Sequence, residues 1–316
     1  MTSPRSGLRA CTCQCHHPHR STSPSAAVSK LRAAGLRVAF LTNNASKSRR
    51  SYVQRLAAAG IPDVDPRDIL AASWAAAEWL VDQGWGRDGY RALRGEKALC
   101  IGAAGLREEL EAAGVSVADP VGSQGGGADW SSAGLAAWRP DPAVTVVVVG
   151  HDEDFDYGRL CEAALYCRAR PRGAGATLVV TNPDAGDVVA SGGSPGDPAR
   201  IERVMPGTGA LLAAIETASG TEGIVVGKGG AWLPARLPAL LGVEDDPRRA
   251  ILVGDRLDTD VAVAASAGLR SLLVMTGSSD AADLAAATTA VNGKTASLAV
   301  PDAWAPSIVT LADTLV

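Results

Sequence analysis

The chain has 316 residues, 47% of them apolar, which is enough for one large globular domain or two ordinary ones. Its net charge is −4 at pH 7, and this acidic balance argues against nucleic acid as a partner, because proteins that follow a phosphate backbone present a basic face. No apolar run approaches the roughly 20 residues that span a bilayer, and residues 1–25 lack the apolar segment of a secretory signal. We therefore expect a cytoplasmic protein that binds a small molecule and no membrane.

The first 25 residues differ in composition from the rest of the chain. Cysteine and histidine are dense over residues 11–19, as in metal-binding tracts, but their spacing fits no common zinc module. Prolines and hydroxyl residues leave the segment little to pack, so residues 1–25 are predicted to be a disordered tail. No acidic residue precedes Asp63, a bias that also resembles a transit peptide and leaves a chloroplast or a mitochondrion as the alternative location.

From residue 26 onward the apolar pattern alternates between the helical and the strand period. Helices are predicted where apolar residues recur every three to four positions and strands where short runs are apolar throughout. The predicted helices cover residues 27–34, 46–59, 68–81, 106–113, 157–169, 210–218, 233–241 and 259–267. The predicted strands cover residues 37–41, 97–102, 144–149, 177–180, 223–227, 250–253 and 270–274. Near-continuous apolar strands that alternate with helices predict an α/β fold with a parallel sheet.

Three of these strands lead directly into polar residues with useful chemistry. Thr42, Lys228 and Asp255 each follow a predicted strand, and ligands of open α/β sheets bind at the carboxyl ends of the strands. Any one of them alone is better explained as a turn residue or a solvated charge. Because all three occur at strand ends, the sequence favours a binding site there.

These residue types suit a phosphoryl group and a divalent metal ion. The hydroxyl of Thr42 and the backbone N–H groups of Thr42 and Asn43 can donate to phosphoryl oxygens, as loop amides at a helix start do. Lys228 can offset the charge of a transferring phosphoryl group. Asp255 can hold Mg²⁺ through a hard oxygen ligand. Asp260 lies about one helical turn further and could orient Lys228 or a metal-bound water.

Several strings of the sequence carry a family resemblance. They are residues 41–49 (Leu-Thr-Asn-Asn-Ala-Ser-Lys-Ser-Arg), 226–228 (Val-Gly-Lys), 254–260 (Gly-Asp-Arg-Leu-Asp-Thr-Asp), 149–155, 181–184, 206–209 and 300–302. In this order they resemble the haloacid dehalogenase superfamily. Within it they are most similar to the group of 4-nitrophenylphosphatases, phosphoglycolate phosphatases and pyridoxal phosphatases.

The resemblance implies a Rossmann-like, doubly wound parallel sheet as a core, built from residues 26–94 and 222–316, with a large α/β cap inserted at residues 95–221. It implies Mg²⁺-dependent hydrolysis of small phosphorylated metabolites, of the phosphoglycolate or 4-nitrophenyl phosphate type, through a phospho-aspartate. A homodimer could form through the cap. The implied site residues are Thr42, Asn43, Asn44 and Lys228 at the phosphate, Asp255 at the metal, and Lys228 with Asp260 as catalytic groups.

The sequence departs from the family in its first motif. That motif, Asp-x-Asp-Gly, supplies the nucleophile and an acid/base carboxylate, and the family spacing places these at Arg9 and Cys11. Neither side chain can do carboxylate chemistry, so a catalytically inactive phosphate-binding or interaction protein is the alternative function. The strand of this motif is expected to be lost, which would leave its two neighbours unpaired. Gly229 and Gly230, where the family tends to have Pro-Ser, are expected to loosen the turn after Lys228.

Overall fold

The computed structural model describes residues 9–13, 23–121, 129–168, 175–192, 201–289 and 299–315. For residues 9–13, 187–192, 201–202 and 289 it describes the backbone alone. Among all of these residues, no helix is both long enough and apolar enough to cross a membrane.

Strands and α-helices alternate along most of the described chain. The strands are β1 (Arg9–Cys13), β2 (Val38–Thr42), β3 (Ile69–Ala71), β4 (Lys97–Ile101), β5 (Val117–Ala118), β6 (Val144–Val149), β7 (Thr177–Val180), β8 (Gly186–Gly192), β9 (Ile201–Pro206), β10 (Ile224–Val225), β11 (Ala250–Gly254), β12 (Arg270–Val274) and β13 (Ala303–Ala305). The α-helices are α1 (Pro24–Ala33), α2 (Arg49–Ala58), α3 (Ala72–Asp82), α4 (Tyr90–Leu93), α5 (Ala104–Ala112), α6 (Ser132–Ala137), α7 (Tyr157–Cys167), α8 (Thr208–Ser219), α9 (Trp232–Leu241), α10 (Ala262–Ser266), α11 (Ala281–Thr289) and α12 (Ile308–Leu315).

The chain divides into two units. The first comprises Met1–Thr42, Arg49–Ala71 and Ala231–Val316, and the second comprises Asn43–Ser48 and Ala72–Gly230. The predicted core and cap boundaries stay a prediction, and residues 72–94 and 222–230 group with the second unit in this division. The reason is packing and pairing: α3 packs against α5, and β10 forms hydrogen bonds with β7.

The first unit is built on a six-stranded sheet in the order β13-β12-β11-β1-β2-β3. All of its described pairings are parallel. From β1 the chain builds outward to β3, then returns to the other side of β1 and builds outward from β11 to β13. This is the doubly wound order of Rossmann-like folds, and it confirms the predicted fold class.

Helices cover both faces of this sheet. Leu272 and Val274 of β12 pack towards Ile308 of α12, whereas Leu273, between them, packs with Ala287 of α11. Successive side chains of a strand point to opposite faces, so α12 and α11 lie on opposite sides. The buried apolar residues on both faces explain why the strands of this sheet are apolar throughout.

The centre of this sheet corrects the prediction for the N-terminal segment. Residues 9–13, predicted to be disordered, form β1 between β11 and β2, where Thr12 is level with Val253 on one side and with Phe40 on the other. The expectation that two central strands lack a partner is therefore wrong. The sequence Arg-Ala-Cys-Thr-Cys has no apolar run, but the unpaired backbone groups of two parallel neighbours strongly favour a strand between them.

The second unit has a five-stranded parallel sheet in the order β10-β7-β6-β4-β5 and a two-stranded antiparallel sheet of β8 and β9. Its core includes Val147 and Val149 of β6, Leu178 of β7, and residues of α7 and α8. The predicted strands over 97–102, 144–149 and 177–180 are confirmed as β4, β6 and β7.

Two predicted helices begin differently in the structure. The helix predicted over 68–81 starts only at Ala72, because Ile69–Ala71 form β3 at the edge of the first sheet. The helix predicted over 259–267 begins as a π-helical turn, Leu257–Val261, and continues as α10. Such turns frequently occur at functional sites, and this one begins two residues after Asp255.

Candidate functional site

Asp255 lies at the carboxyl end of β11 and is held on one side by the loop that follows β12. Its side chain is buried, and its Oδ2 accepts a hydrogen bond of 2.7 Å from the backbone N–H of Ser278. The backbone N–H of Ser279 donates to its carbonyl oxygen at 3.0 Å. A Cβ at Gly277 would overlap the Asp255 carboxylate. Glycine at this position therefore makes room for the carboxylate.

Asp260 fixes the backbone that carries Asp255. Its Oδ2 accepts hydrogen bonds from the backbone N–H groups of Asp255 (3.1 Å) and Arg256 (3.2 Å), and only 1% of the residue is exposed. A Cβ at Gly254 would overlap the side chain of Asp260. Through these contacts Asp260 holds the loop after β11 in place, a role that the sequence did not predict.

Arg256 pairs with a neighbour in the same loop. Its guanidinium binds Asp258, with Nη2 at 2.7 Å from Oδ2, and this hydrogen bond holds the pKa of Asp258 below its usual value. The carboxylate of Asp258 thus offsets the positive charge of Arg256 beside the loop that carries Asp255.

Thr42 ends β2, on the other side of β1 from Asp255. Leu41 is level with Cys13 and Val253 is level with Thr12, so Thr42 and Asp255 come at the same height along the strands. Neighbouring strands lie about 4.8 Å apart, so β2 and β11 lie about 10 Å from each other, with β1 between them. The order of the sheet reverses between β1 and β11, and doubly wound sheets bind ligands at such a point.

The register gives the height of Arg9 and Cys11, the residues assigned to the first motif. Arg9 is level with Ala250, and Cys11 is level with Leu252. Cys11 therefore lies three residues before the height of Asp255, which is about 10 Å along the strand. Arg9 and Cys11 therefore lie before the carboxyl edge of the first sheet, and their assignment to the first motif stays a prediction. The ladder ends at Cys13, and residues 14–22 lie outside the described residues.

In the second unit, Lys228 follows β10 and is buried. Its backbone N–H donates to Oδ1 of Asn43 at 2.9 Å, and Nδ2 of Asn43 lies 3.4 Å from its carbonyl oxygen. The same Nδ2 donates to Oδ2 of Asp184 at 2.9 Å. The carbonyl oxygen of Asn43 accepts a hydrogen bond of 2.8 Å from Nδ2 of Asn182. The structure thus joins residues of three separate motifs in one network.

A hydrogen bond closes the turn after Lys228, and the expectation that its glycines loosen it stays a prediction. The N–H of Gly230 donates to the carbonyl of Gly227 at 3.1 Å. Gly229 has φ +97°, a conformation that favours glycine, and a Cβ there would lie 2.6 Å from Cγ of Pro183. Glycine at 229 therefore lets the turn close against the segment that ends at Asp184.

The side chain of Asn44 shapes its own loop. Its Oδ1 accepts hydrogen bonds from the backbone N–H (2.8 Å) and the hydroxyl (2.7 Å) of Ser46. This is the local pattern by which asparagine stabilises turns. The assignment of Asn44 to phosphate stays a prediction.

Sequence reasoning did not place Asn182 and Asp184 in the site. A sequence signal was available, because both are polar residues that closely follow a strand, β7, just as Thr42 stands at the end of β2. Ser278 and Gly277 gave no comparable signal, since only the fold brings them to Asp255.

The described residues do not complete a metal site. No group of three His, Cys, Asp or Glu side chains among them could hold a metal ion. Mg²⁺ takes six oxygen ligands, usually from one or two carboxylates together with waters and substrate phosphates. Asp255 is a buried carboxylate of the kind that can serve as one such ligand, and its assignment to a metal stays a prediction.

Two family models match the sequence. One, described as haloacid dehalogenase-like hydrolase, matches residues 21–116, and the other, described as HAD-hydrolase-like, matches residues 225–299. The first match includes Thr42, Asn43 and Asn44. The second includes Lys228, Asp255 and Asp260.

Two curated relatives that are named as phosphatases match most of the chain. The chain is 37% identical over 256 residues to the glycerol-3-phosphate phosphatase of Gallus gallus, covering 80% of this chain and 73% of that protein. It is 33% identical over 247 residues to phosphoglycolate phosphatase 2 of Arabidopsis thaliana, covering 78% and 74% respectively.

Solved structures share the fold over almost the whole chain. A hypothetical protein of Pyrococcus horikoshii aligns with a TM-score of 0.71 and 27% identity over 98% of this chain and all of that one. A glycerol phosphate phosphatase of Mycobacterium tuberculosis, solved in complex with magnesium, aligns with a TM-score of 0.69 and 25% identity over 97% of this chain and 77% of that one.

Proposed function

Because this chain belongs to the haloacid dehalogenase-like hydrolases, we propose that it is a Mg²⁺-dependent phosphatase of small phosphorylated metabolites. The observation that carries the proposal is the placement of Thr42 and Asp255 at the same height on either side of β1, where the order of the sheet reverses. The named activities of its relatives put glycerol 3-phosphate and phosphoglycolate first among candidate substrates, and the resemblance found in the sequence adds 4-nitrophenyl phosphate.

Each site residue has a proposed role. Thr42, Asn43 and Asn44 donate to phosphoryl oxygens, the first through its hydroxyl and all three through backbone N–H groups. Lys228 offsets negative charge on the phosphoryl group. Asp255 is the described residue that would hold Mg²⁺, an ion that polarises phosphoryl oxygens when bound. Asp260 keeps the loop of Asp255 in place.

A second candidate is a phosphate-binding protein without hydrolytic activity. The specific observation in its favour is the composition of β1, since Arg9–Cys13 contains no carboxylate and no acidic residue precedes Asp63 in the whole sequence. A phospho-aspartate mechanism needs a carboxylate nucleophile. This candidate keeps the phosphate groups and lacks the nucleophile.

One set of measurements separates the two candidates. Hydrolysis of the three substrates is measured with and without Mg²⁺, and binding of inorganic phosphate is measured by titration calorimetry. Turnover that needs Mg²⁺ and falls on the order of 10²-fold or more in Asp255→Ala and Lys228→Ala supports the phosphatase. Asp245→Ala, which removes an exposed carboxylate, is the matched control.

The remaining outcomes are equally informative. The absence of both turnover and phosphate binding contradicts both candidates, whereas phosphate binding without turnover supports the binding protein. If the chain binds without turnover, replacing residues 1–25 with a segment that carries an apolar strand and Asp-x-Asp-Gly tests the missing nucleophile. Turnover that appears only in this variant identifies the first motif as the deficiency.

We also propose that the second unit mediates a homodimer. Among its described residues it carries seven large apolar side chains that are exposed: Val81, Tyr90, Leu93, Val121, Tyr157, Val204 and Ile224. Exposed apolar groups of this kind are typical of interaction surfaces when they are contiguous. Light scattering that gives the mass of a single chain at all concentrations would contradict the proposal.

A further inference from the structure

The side-chain amide of Asn43 has one orientation in the structure, and Asp184 determines it. An amide has a donor end and an acceptor end, whereas an ionised carboxylate only accepts. Nδ2 of Asn43 faces Oδ2 of Asp184 at 2.9 Å, which leaves Oδ1 to accept the N–H of Lys228 at 2.9 Å. The reversed amide would set oxygen against the carboxylate and N–H against N–H, so both contacts would be lost.

Asp184 is itself held firmly. Its backbone N–H donates to Oδ1 of Asn182 at 3.1 Å, and its carbonyl oxygen accepts from the N–H of Gly209 at 2.8 Å. Asn182, which is 4% exposed, also binds the carbonyl oxygen of Asn43. The carboxylate of Asp184 is therefore attached to a rigid segment from which it can direct Asn43.

The backbone of Lys228 is fixed by neighbouring residues and by the hydrogen bonds that lead from Asp184 through the side chain of Asn43, which together are called the relay below. The N–H of Gly227 donates to the carbonyl oxygen of Thr181 at 2.9 Å, and Gly229 packs against Pro183. Both partners belong to the segment that ends at Asp184. Lysine has a flexible four-carbon stem, so the position of its ammonium group depends on how firmly its backbone is anchored.

We propose that Asp184 is a positioning residue that fixes Lys228 through the side chain of Asn43. The proposal rests on the function proposed above, because Lys228 is the cation assigned there to the phosphoryl group. Misplacement of such a group by about 1 Å can cost about 10²-fold in rate. Asp184 contributes to phosphate binding, on this account, without contacting the phosphate.

An exchange of the two side chains tests the relay. Asn43→Asp sets two carboxylates face to face, whereas Asn43→Asp combined with Asp184→Asn lets the new amide donate to the new carboxylate, which still accepts the N–H of Lys228. Hydrogen exchange of the Lys228 amide is measured by NMR on the full chain. We expect exchange to accelerate about tenfold or more in the single variant and to return to within about threefold of the original rate in the double variant.

The control variant, Asn44→Asp, adds the same negative charge at the neighbouring residue. Asn44→Asp keeps an oxygen that can accept the hydrogen bonds from the backbone N–H and the hydroxyl of Ser46. It should leave exchange of the Lys228 amide unchanged. Equal exchange rates in all four chains, or no recovery in the double variant when both variants retain the original unfolding midpoint, would overturn the proposal.

Binding of inorganic phosphate separates this proposal from the function on which it rests. If the unaltered chain binds no phosphate, the proposed function fails, and the exchange rates alone decide whether the relay holds Lys228. If it binds, we expect the dissociation constant to rise about tenfold in Asp184→Ala. An unchanged dissociation constant together with faster Lys228 exchange would contradict the positioning role.

Discussion

Replacing Gly277 with alanine should displace the carboxylate of Asp255. The residue follows β12 by a short turn, and a Cβ placed on it would overlap the side chain of Asp255 from Cβ to Oδ2. The carboxylate cannot retreat without breaking the 2.7 Å hydrogen bond from Ser278. The substitution therefore adds one methyl group at the point where the structure has no room for it.

The cost can be worked out from these contacts. Overpacking of a buried site costs about 1–3 kcal/mol, and a lost hydrogen bond to a charged acceptor costs about 1.5–3 kcal/mol. Since Asp255 is only 3% exposed, water cannot readily replace the lost donor. We expect the free energy of unfolding to fall by about 3–5 kcal/mol, a large share of the roughly 5–15 kcal/mol typical of a domain.

Urea unfolding at pH 7 measures the change. Gly35→Ala is the matched control, because Gly35 has φ +79° and a Cβ added there would meet nothing within 4 Å, so it should cost only the backbone penalty of about 1 kcal/mol. If Gly277→Ala lowers the free energy of unfolding no more than Gly35→Ala does, Gly277 does not confine the Asp255 carboxylate. The reasoning from this contact would then be refuted.

Three further predictions concern other parts of the fold. The guanidinium of Arg248 holds the pKa of Asp302 below its usual value, so the stability that Asp302→Asn removes at pH 7 should fade as pH falls below about 4; equal losses at pH 7 and pH 3 in urea titrations would contradict this. Burial raises the pKa of the Cys100 thiol to about 12, so iodoacetamide at pH 8 should alkylate the half-buried Cys161 before Cys100, as followed by mass spectrometry; equal labelling of these two cysteines would contradict this. Thr12→Pro removes a ladder donor from the central strand and should lower the urea midpoint well below that of Thr12→Ser, whereas equal midpoints would mean that β1 adds little.

The sequence by itself determined the elements whose pattern is local. The valine run over 144–149 and the apolar run over 250–253 are recognisable as buried parallel strands because almost every residue in them is apolar. The polar residues Thr42, Lys228 and Asp255 could be placed at strand ends for the same reason: the pattern changes where the strand stops.

Only the tertiary structure decided which segments meet. Arg9–Cys13 has no strand pattern, yet it lies at the centre of the first sheet, because two neighbouring strands offer it backbone partners on both sides. Gly277 and Asp255 likewise meet only because β12 pairs with β11.

The relay at Lys228 shows the same limit at the level of side chains. Asn43 lies 141 residues before Asp184 and 185 residues before Lys228, and no local period links the three. Their contact depends on the pairing of β7 with β10 and on the closing of the turn at Gly229. The periodicity of the sequence indicates which face of an element is buried. Hydrogen bonds between distant loops form only after strand pairing has brought those loops together.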